Sequence, residues 1–153
     1  MNPKLVKIEQ MAIATALKIA EEEEHNPTML VLTGKGDLAL GHISLKDKDL
    51  FKPTVLRILQ DSQAIGYVFV VEGWRATGPV AERALRQGLA VRDLPPDDRE
   101  EILTITVVER GTAYRTTIFS ITQLLMGRLL RPLDVLSSEK RGTLEGRMVV
   151  LDW

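Results

Sequence analysis

Carboxylates at two places in the sequence could meet and act on a cation or a proton. Glu72 ends an unbroken apolar run, and three acids within 97–100 precede the next apolar run. Antiparallel neighbouring strands would bring these ends together, and converging carboxylates bind divalent cations or serve as general acids and bases. Arginines lie equally near in sequence, so an ion-pair network is the favoured interpretation. The candidate binding rim consists of Glu72, Trp74, Arg75, Asp97, Asp98, Arg99 and Glu100.

Other catalytic and cofactor motifs are missing from the sequence. The glycines of "TGKGD" (33–37) join two predicted strands, whereas a phosphate-binding loop joins a strand to a helix. No Gly-x-Ser-x-Gly motif accompanies the serines, and two histidines, His25 and His42, are too few for an ordinary metal site. We therefore expect no catalytic residue, no metal centre and no cofactor. A metal-dependent or acid–base enzyme built on Glu72 and 97–100 remains the alternative.

Composition indicates one globular domain with a substantial core. The chain has 153 residues, of which 44% are hydrophobic and 27% are charged. Twenty basic residues against 21 acidic ones leave no overall field that would attract nucleic acid or an anionic membrane. The absence of cysteine is typical of a reducing compartment, and lysines interrupt the apolar residues of the N-terminus. We expect a cytoplasmic protein that contacts no membrane.

A local excess of basic residues in the C-terminal third offers a weaker alternative, a nucleic-acid surface. The excess is small, and Trp74 alone does not provide the several aromatic side chains that RNA-binding modules use. We therefore expect Trp74 to cover the edge of the core. The basic residues concerned are Arg115, Arg128, Arg131, Lys140, Arg141 and Arg147.

The N-terminal segment, residues 3–24, has the periodicity of an amphipathic helix. Its apolar residues cover about half of the circumference, which is wider than the usual stripe of roughly 100°. Glu9 lies inside this arc, and we expect it to bend toward solvent near the start of the helix. The alternative is that the wide arc serves two surfaces, one of them on a symmetry mate.

Periodicity and turn residues predict the elements that position the rim. The residues before 122 predict a hairpin at 28–33 and 38–45, a helix at 49–62, a central strand at 64–74, a helix at 77–88 and a hairpin at 102–108 and 113–121. The central strand is expected to be covered on both faces, or on one face with the other at an interface. Residues 122–145 fit either a helix or a strand, and 145–153 predicts a closing strand. This order predicts one α+β domain over 1–153 in two layers, with a largely antiparallel sheet, the N-terminal helix and a second helix packed on it.

One pattern in the middle of the chain resembles a known group of proteins. A strand ending Glu72-Gly73-Trp74, then an irregular stretch reaching Pro96-Asp97-Asp98-Arg99-Glu100, then a strand hairpin, is similar to small uncharacterised bacterial proteins. In those proteins predicted strands end in Glu-x-Trp and restart after an Asp-Arg-x-Glu box. The resemblance covers about residues 65–121, and it implies a similar α+β sheet and no activity.

These observations favour a non-enzymatic interaction or assembly protein. With no catalytic motif, the rim at the end of the central strand is expected to be a binding or assembly surface. We expect the protein to associate with itself through the N-terminal helix or a sheet edge, with a protein partner as a further possibility.

Overall fold

The computed structural model describes residues 1–42, 48–111, 113–137 and 153, and these form an open antiparallel sheet with helices packed on it. The strand order is β2-β1-β3-β4-β5-β6. The predicted α+β class is confirmed. The helices are Pro3–Glu22 (α1), Lys48–Asp61 (α2) and Gly78–Gln87 (α3), and the strands are Thr28–Leu32 (β1), Leu38–His42 (β2), Gly66–Arg75 (β3), Glu100–Glu109 (β4), Ala113–Gln123 (β5) and Arg128–Ser137 (β6).

Strand β3 is central and is covered on both faces. Val68 and Val70 pack under α1, and Tyr67 and Phe69 lie in a second core that α2 covers from the other side of the sheet. Successive side chains of a strand point to opposite faces, so a strand covered on both faces is apolar at consecutive positions. The predicted burial of this strand on two faces is confirmed.

Helix α1 lies close to the sheet through small residues. The side chain of Asn2 caps its first turn by accepting a hydrogen bond from the backbone N–H of Lys4. Ala12, Ala16 and Ala20 are buried at four-residue spacing in the core that α1 shares with β3, β4 and β5. Short side chains on this face allow the helix backbone to approach the strands, which positions the C-terminus of α1 over one end of the sheet.

The prediction that Glu9 bends toward solvent is wrong. Glu9 is buried, and both of its carboxylate oxygens accept hydrogen bonds from the guanidinium of Arg115 on β5, at 2.6 and 3.0 Å. A buried carboxylate is stable when a cation pairs with it in this two-bonded geometry. The partner lies 106 positions away in sequence, so the helical pattern alone could not show it.

Within the segment that fitted either a helix or a strand, Arg128–Ser137 forms β6, and 138–145 lie outside the described residues. A β-bulge between Ile118 and Phe119 shifts the pairing of β6 with β5, so that Phe119 lies opposite Pro132 and Ile118 lies opposite Asp134. Proline has no backbone N–H to donate, and it is tolerated in a strand at such irregularities or at the sheet edge. The predicted closing strand at 145–153 falls outside the described residues except for Trp153.

Helix α3 and the turns after it connect β3 to β4. Thr77 is its N-cap residue and Gly88 ends it with φ 66°, a left-handed conformation that glycine adopts without strain. The predicted helix at 77–88 is confirmed. Its only buried residue is Ala84, so α3 presents most of its surface to solvent. None of the helices within the described parts of the chain has the length and apolarity needed to cross a membrane.

Candidate functional site

The predicted rim lies at one end of the sheet, where β3 ends and β4 begins, and some of its side chains contact one another. Arg75 pairs with Glu100 across the two strands at 3.3 Å. The guanidinium of Arg99 stacks on the ring of Trp74 at 4.2 Å, a cation–π contact. Asp98 pairs with Arg83 of α3 at 3.5 Å, and Asp97 is exposed in the turn before β4. The rim therefore contains separate ion pairs and one cation–π contact.

Glu72 belongs to a different group of side chains from the rest of the rim. The register places Glu72 opposite Leu103 and Glu100 opposite Arg75, three positions apart on each strand. Since side chains alternate between faces, Glu72 points to the face covered by α1 and Glu100 to the other face. The structure does not bring the two together. Nor do the described ranges contain a group of three His, Asp or Glu residues that could hold a metal ion.

On the α1 face, Glu72 pairs with Arg128 at the start of β6. The guanidinium Nη2 lies 2.7 Å from Oε1 of Glu72 and 3.1 Å from Oε1 of Glu101. Nη1 of Arg128 donates to the backbone carbonyl of Glu23 at 2.8 Å, just beyond the end of α1. The side chains of Glu72 and Arg128 are only 6% and 7% exposed. One buried cation therefore joins β3, β4, β6 and α1.

Burial sets the proton affinity of Glu72. Removal from water raises the pKa of Glu72 above the ordinary glutamate value, and this is the largest influence on it. The short contact with Arg128, the charge of Arg128 and the backbone N–H of His25 act in the opposite direction, toward a lower pKa. The close approach of Arg128 is poorly aligned, since neither carboxylate oxygen completes a regular hydrogen bond. Attraction therefore does not compensate fully for burial.

A pH dependence of stability follows from this raised pKa. The native state binds a proton at Glu72 more readily than the unfolded chain does, so the contribution to stability is complete below the unfolded pKa and is lost as pH rises through the native one. Relative to Glu72→Gln, which cannot ionise, the wild type is expected to lose unfolding free energy from pH 4.5 upward. Urea denaturation of both proteins at a series of pH values measures this difference. A difference that grows in favour of the wild type as pH rises would contradict it.

An acidic cleft of about 390 Å³ opens beside Arg128, between the end of α1 and the turn from β5 to β6. Gly127 in this turn has φ 80°, and a Cβ there would lie 2.9 Å from the backbone carbonyl of Glu21. Only glycine lets the turn pack this closely on the helix end. The cleft is lined by Glu22, Glu23, Glu24, Glu101, Gln123, Leu124, Gly127 and Arg128.

The same turn carries three consecutive exposed apolar residues, Leu124, Leu125 and Met126, which we call the β5–β6 tip, and the last two are the most exposed large apolar side chains of the described structure. The three side chains are 51%, 107% and 91% exposed. The sequence did not single them out, because their apolar neighbours in 122–133 fit either a helix or a strand. Three consecutive apolar residues before a glycine were the available signal, since glycine marks turns.

The basic residues of the C-terminal third lie in different environments. Arg115 and Arg128 are engaged in the buried ion pairs described above, whereas Arg131 is exposed on β6. Lys140, Arg141 and Arg147 lie outside the described residues. The two arginines in ion pairs are therefore occupied by carboxylates of the protein itself.

The chain matches no protein-family model, no curated protein and no solved structure at a significant level. The side chains themselves therefore carry the functional argument.

Proposed function

We propose that this chain is a non-enzymatic cytoplasmic interaction protein that associates with itself. The observation that carries the proposal is the β5–β6 tip. Single exposed leucines are ordinary on protein surfaces, whereas adjacent ones on a projecting turn form a patch of the kind that marks binding sites. Covering such a side chain contributes roughly 1.5–3 kcal/mol, so a partner that buries the tip gains considerable affinity.

The contacts that the polar side chains of the rim already make support a binding function over catalysis. Arg75 and Arg99 each contact another side chain of the rim, so these polar groups stabilise the end of the sheet. An enzyme that worked through them would have to break those contacts to engage a substrate. The apolar side chains of the tip, by contrast, belong to neither hydrophobic cluster of the described core, so a partner can bury them without breaking core contacts.

The two surfaces expected from the sequence to mediate self-association, the N-terminal helix and a sheet edge, each expose some apolar residues in the structure. Most of the apolar arc of α1 is occupied by the sheet, leaving Met11 and Ile19 partly exposed. Strands β2 and β6 are the two edge strands of the sheet in the described residues, and Leu38 and Leu40 on β2 are exposed. A strand of this kind can pair with a second chain, but the tip presents the larger exposed apolar surface.

Substitutions in the tip are expected to weaken self-association without unfolding the protein. Because each side chain contributes little to the folded core, Leu125→Ser is expected to raise the dissociation constant by about tenfold or more, since tenfold corresponds to about 1.4 kcal/mol. Sedimentation velocity over a concentration series measures the effect. Leu50→Ser is the matched control, because Leu50 is also an exposed leucine but lies on α2. A wild-type protein that stays monomeric at every concentration would overturn the proposal.

A further inference from the structure

We infer that the β5–β6 tip of one copy docks on α3 of a second copy of this chain. The inference rests on the self-association proposed above and names the surface that the tip binds. It follows from the chemistry of two surfaces at the same end of the molecule.

The surroundings of the tip define what its partner must offer. Glutamates line the cleft beside Leu124, with Glu22 at the end of α1, Glu23 and Glu24 just beyond it, and Glu101 on β4. The C-terminus of α1 adds the negative end of its helix dipole at the same place. Because the tip is apolar and surrounded by carboxylates, the surface that binds it should be apolar and bordered by cationic side chains. These carboxylates also repel anionic lipid headgroups, which disfavours a membrane surface as the occupant.

Helix α3 and the turn after it have this complementary character. Leu85 and Leu89 are 68% and 47% exposed. Between residues 83 and 92 the chain carries three arginines and no carboxylate. All three, Arg83, Arg86 and Arg92, are exposed. In the described structure Arg83 pairs with the partly exposed Asp98 at 3.5 Å and Arg86 with the exposed Glu82 at 3.9 Å, and such long pairs near the surface are easily exchanged.

The topology places both surfaces at one end of the sheet. Helix α3 joins the end of β3 to the start of β4, and the tip joins the end of β5 to the start of β6. Since these strands are antiparallel neighbours in the order β3-β4-β5-β6, the two connections leave the sheet at the same end. Two copies meeting end to end can therefore bury both tips and both α3 surfaces about a two-fold axis, which gives a closed dimer.

Charge reversal on each surface tests the inference. Arg83→Glu with Arg86→Glu on α3, or Glu22→Arg with Glu24→Arg at the cleft, is expected to weaken self-association at least tenfold, because each places like charges across both contacts. Lys52→Glu with Arg57→Glu on α2 is the matched control, since both residues are exposed on another element. Sedimentation velocity measures the dissociation constants, and circular dichroism confirms that each variant is folded.

Mixing the two charge-reversed proteins gives the decisive result. In a mixed dimer one contact keeps its natural charges and the other has both charges reversed, so attraction returns at both. The mixture is expected to associate at least tenfold more tightly than either variant alone. If the tip variants weaken association but the α3 reversal and the mixture behave like the control, α3 is not the docking surface and the proposed function stands. A wild type that never associates overturns both.

Discussion

Replacing Arg128 with methionine is expected to lower the free energy of unfolding by about 3–5 kcal/mol at neutral pH. The guanidinium neutralises Glu72 and Glu101 and donates to the carbonyl of Glu23 at the end of α1. Methionine keeps much of the side-chain length and leaves no cation. Glu72 would then be buried without its cation, and either keeping the unpaired charge or taking up a proton at neutral pH costs stability.

Urea denaturation measures this loss, and two further variants establish its origin. Arg131→Met removes an arginine from an exposed position on the same strand and is expected to change stability by less than about 0.5 kcal/mol. Adding Glu72→Gln to Arg128→Met removes the stranded charge, so the double variant is expected to be more stable than Arg128→Met alone. Equal effects of Arg128→Met and Arg131→Met would show that the buried pair contributes nothing.

The elements of this fold could be predicted where local signals decide them. The apolar run of β3 predicted a strand covered on both faces, because alternate side chains reach opposite faces and none of them is polar. Gly88 marked the end of α3, because glycine adopts the left-handed conformation that ends a helix. Each of these signals lies within a few residues of the structure that it determines.

The ion pair of Glu72 and Arg128 could not be predicted, because it depends on pairing between distant residues. Whether Glu72 meets Glu100 depends on strand register, since a shift of one position moves a side chain to the other face. The observed register sends the two to opposite faces and gives Glu72 a partner on β6. The exposed tip was hidden for a related reason. Apolar residues in a turn look like core residues until the strands on either side are known.

The pair of Glu9 and Arg115 provides the second large expected effect. Arg115→Met is expected to lower the free energy of unfolding by about 3 kcal/mol, because it leaves the carboxylate of Glu9 buried without its two hydrogen bonds. The value lies at the lower end of the range for buried pairs, since the Arg115 side chain is 36% exposed and water can reach the site. The pKa of Arg115 is raised, chiefly by its hydrogen bond to Glu9, as expected for a favourable pair.

A double-mutant cycle separates the ion pair from the packing of α1. Glu9→Leu in the Arg115→Met background removes the buried charge and adds apolar contact with the sheet, so the double variant is expected to regain most of the lost stability, measured by urea denaturation.

Arg115 and Arg128 hold different parts of the α1 segment. Arg115 binds Glu9 in the first half of the helix, and Arg128 binds the carbonyl of Glu23 beyond its end. If the pair serves only to neutralise Glu9, the free energy of unfolding of the double variant is expected to lie near the wild-type value. A double variant as unstable as Arg115→Met would show instead that the guanidinium itself packs α1 against β5.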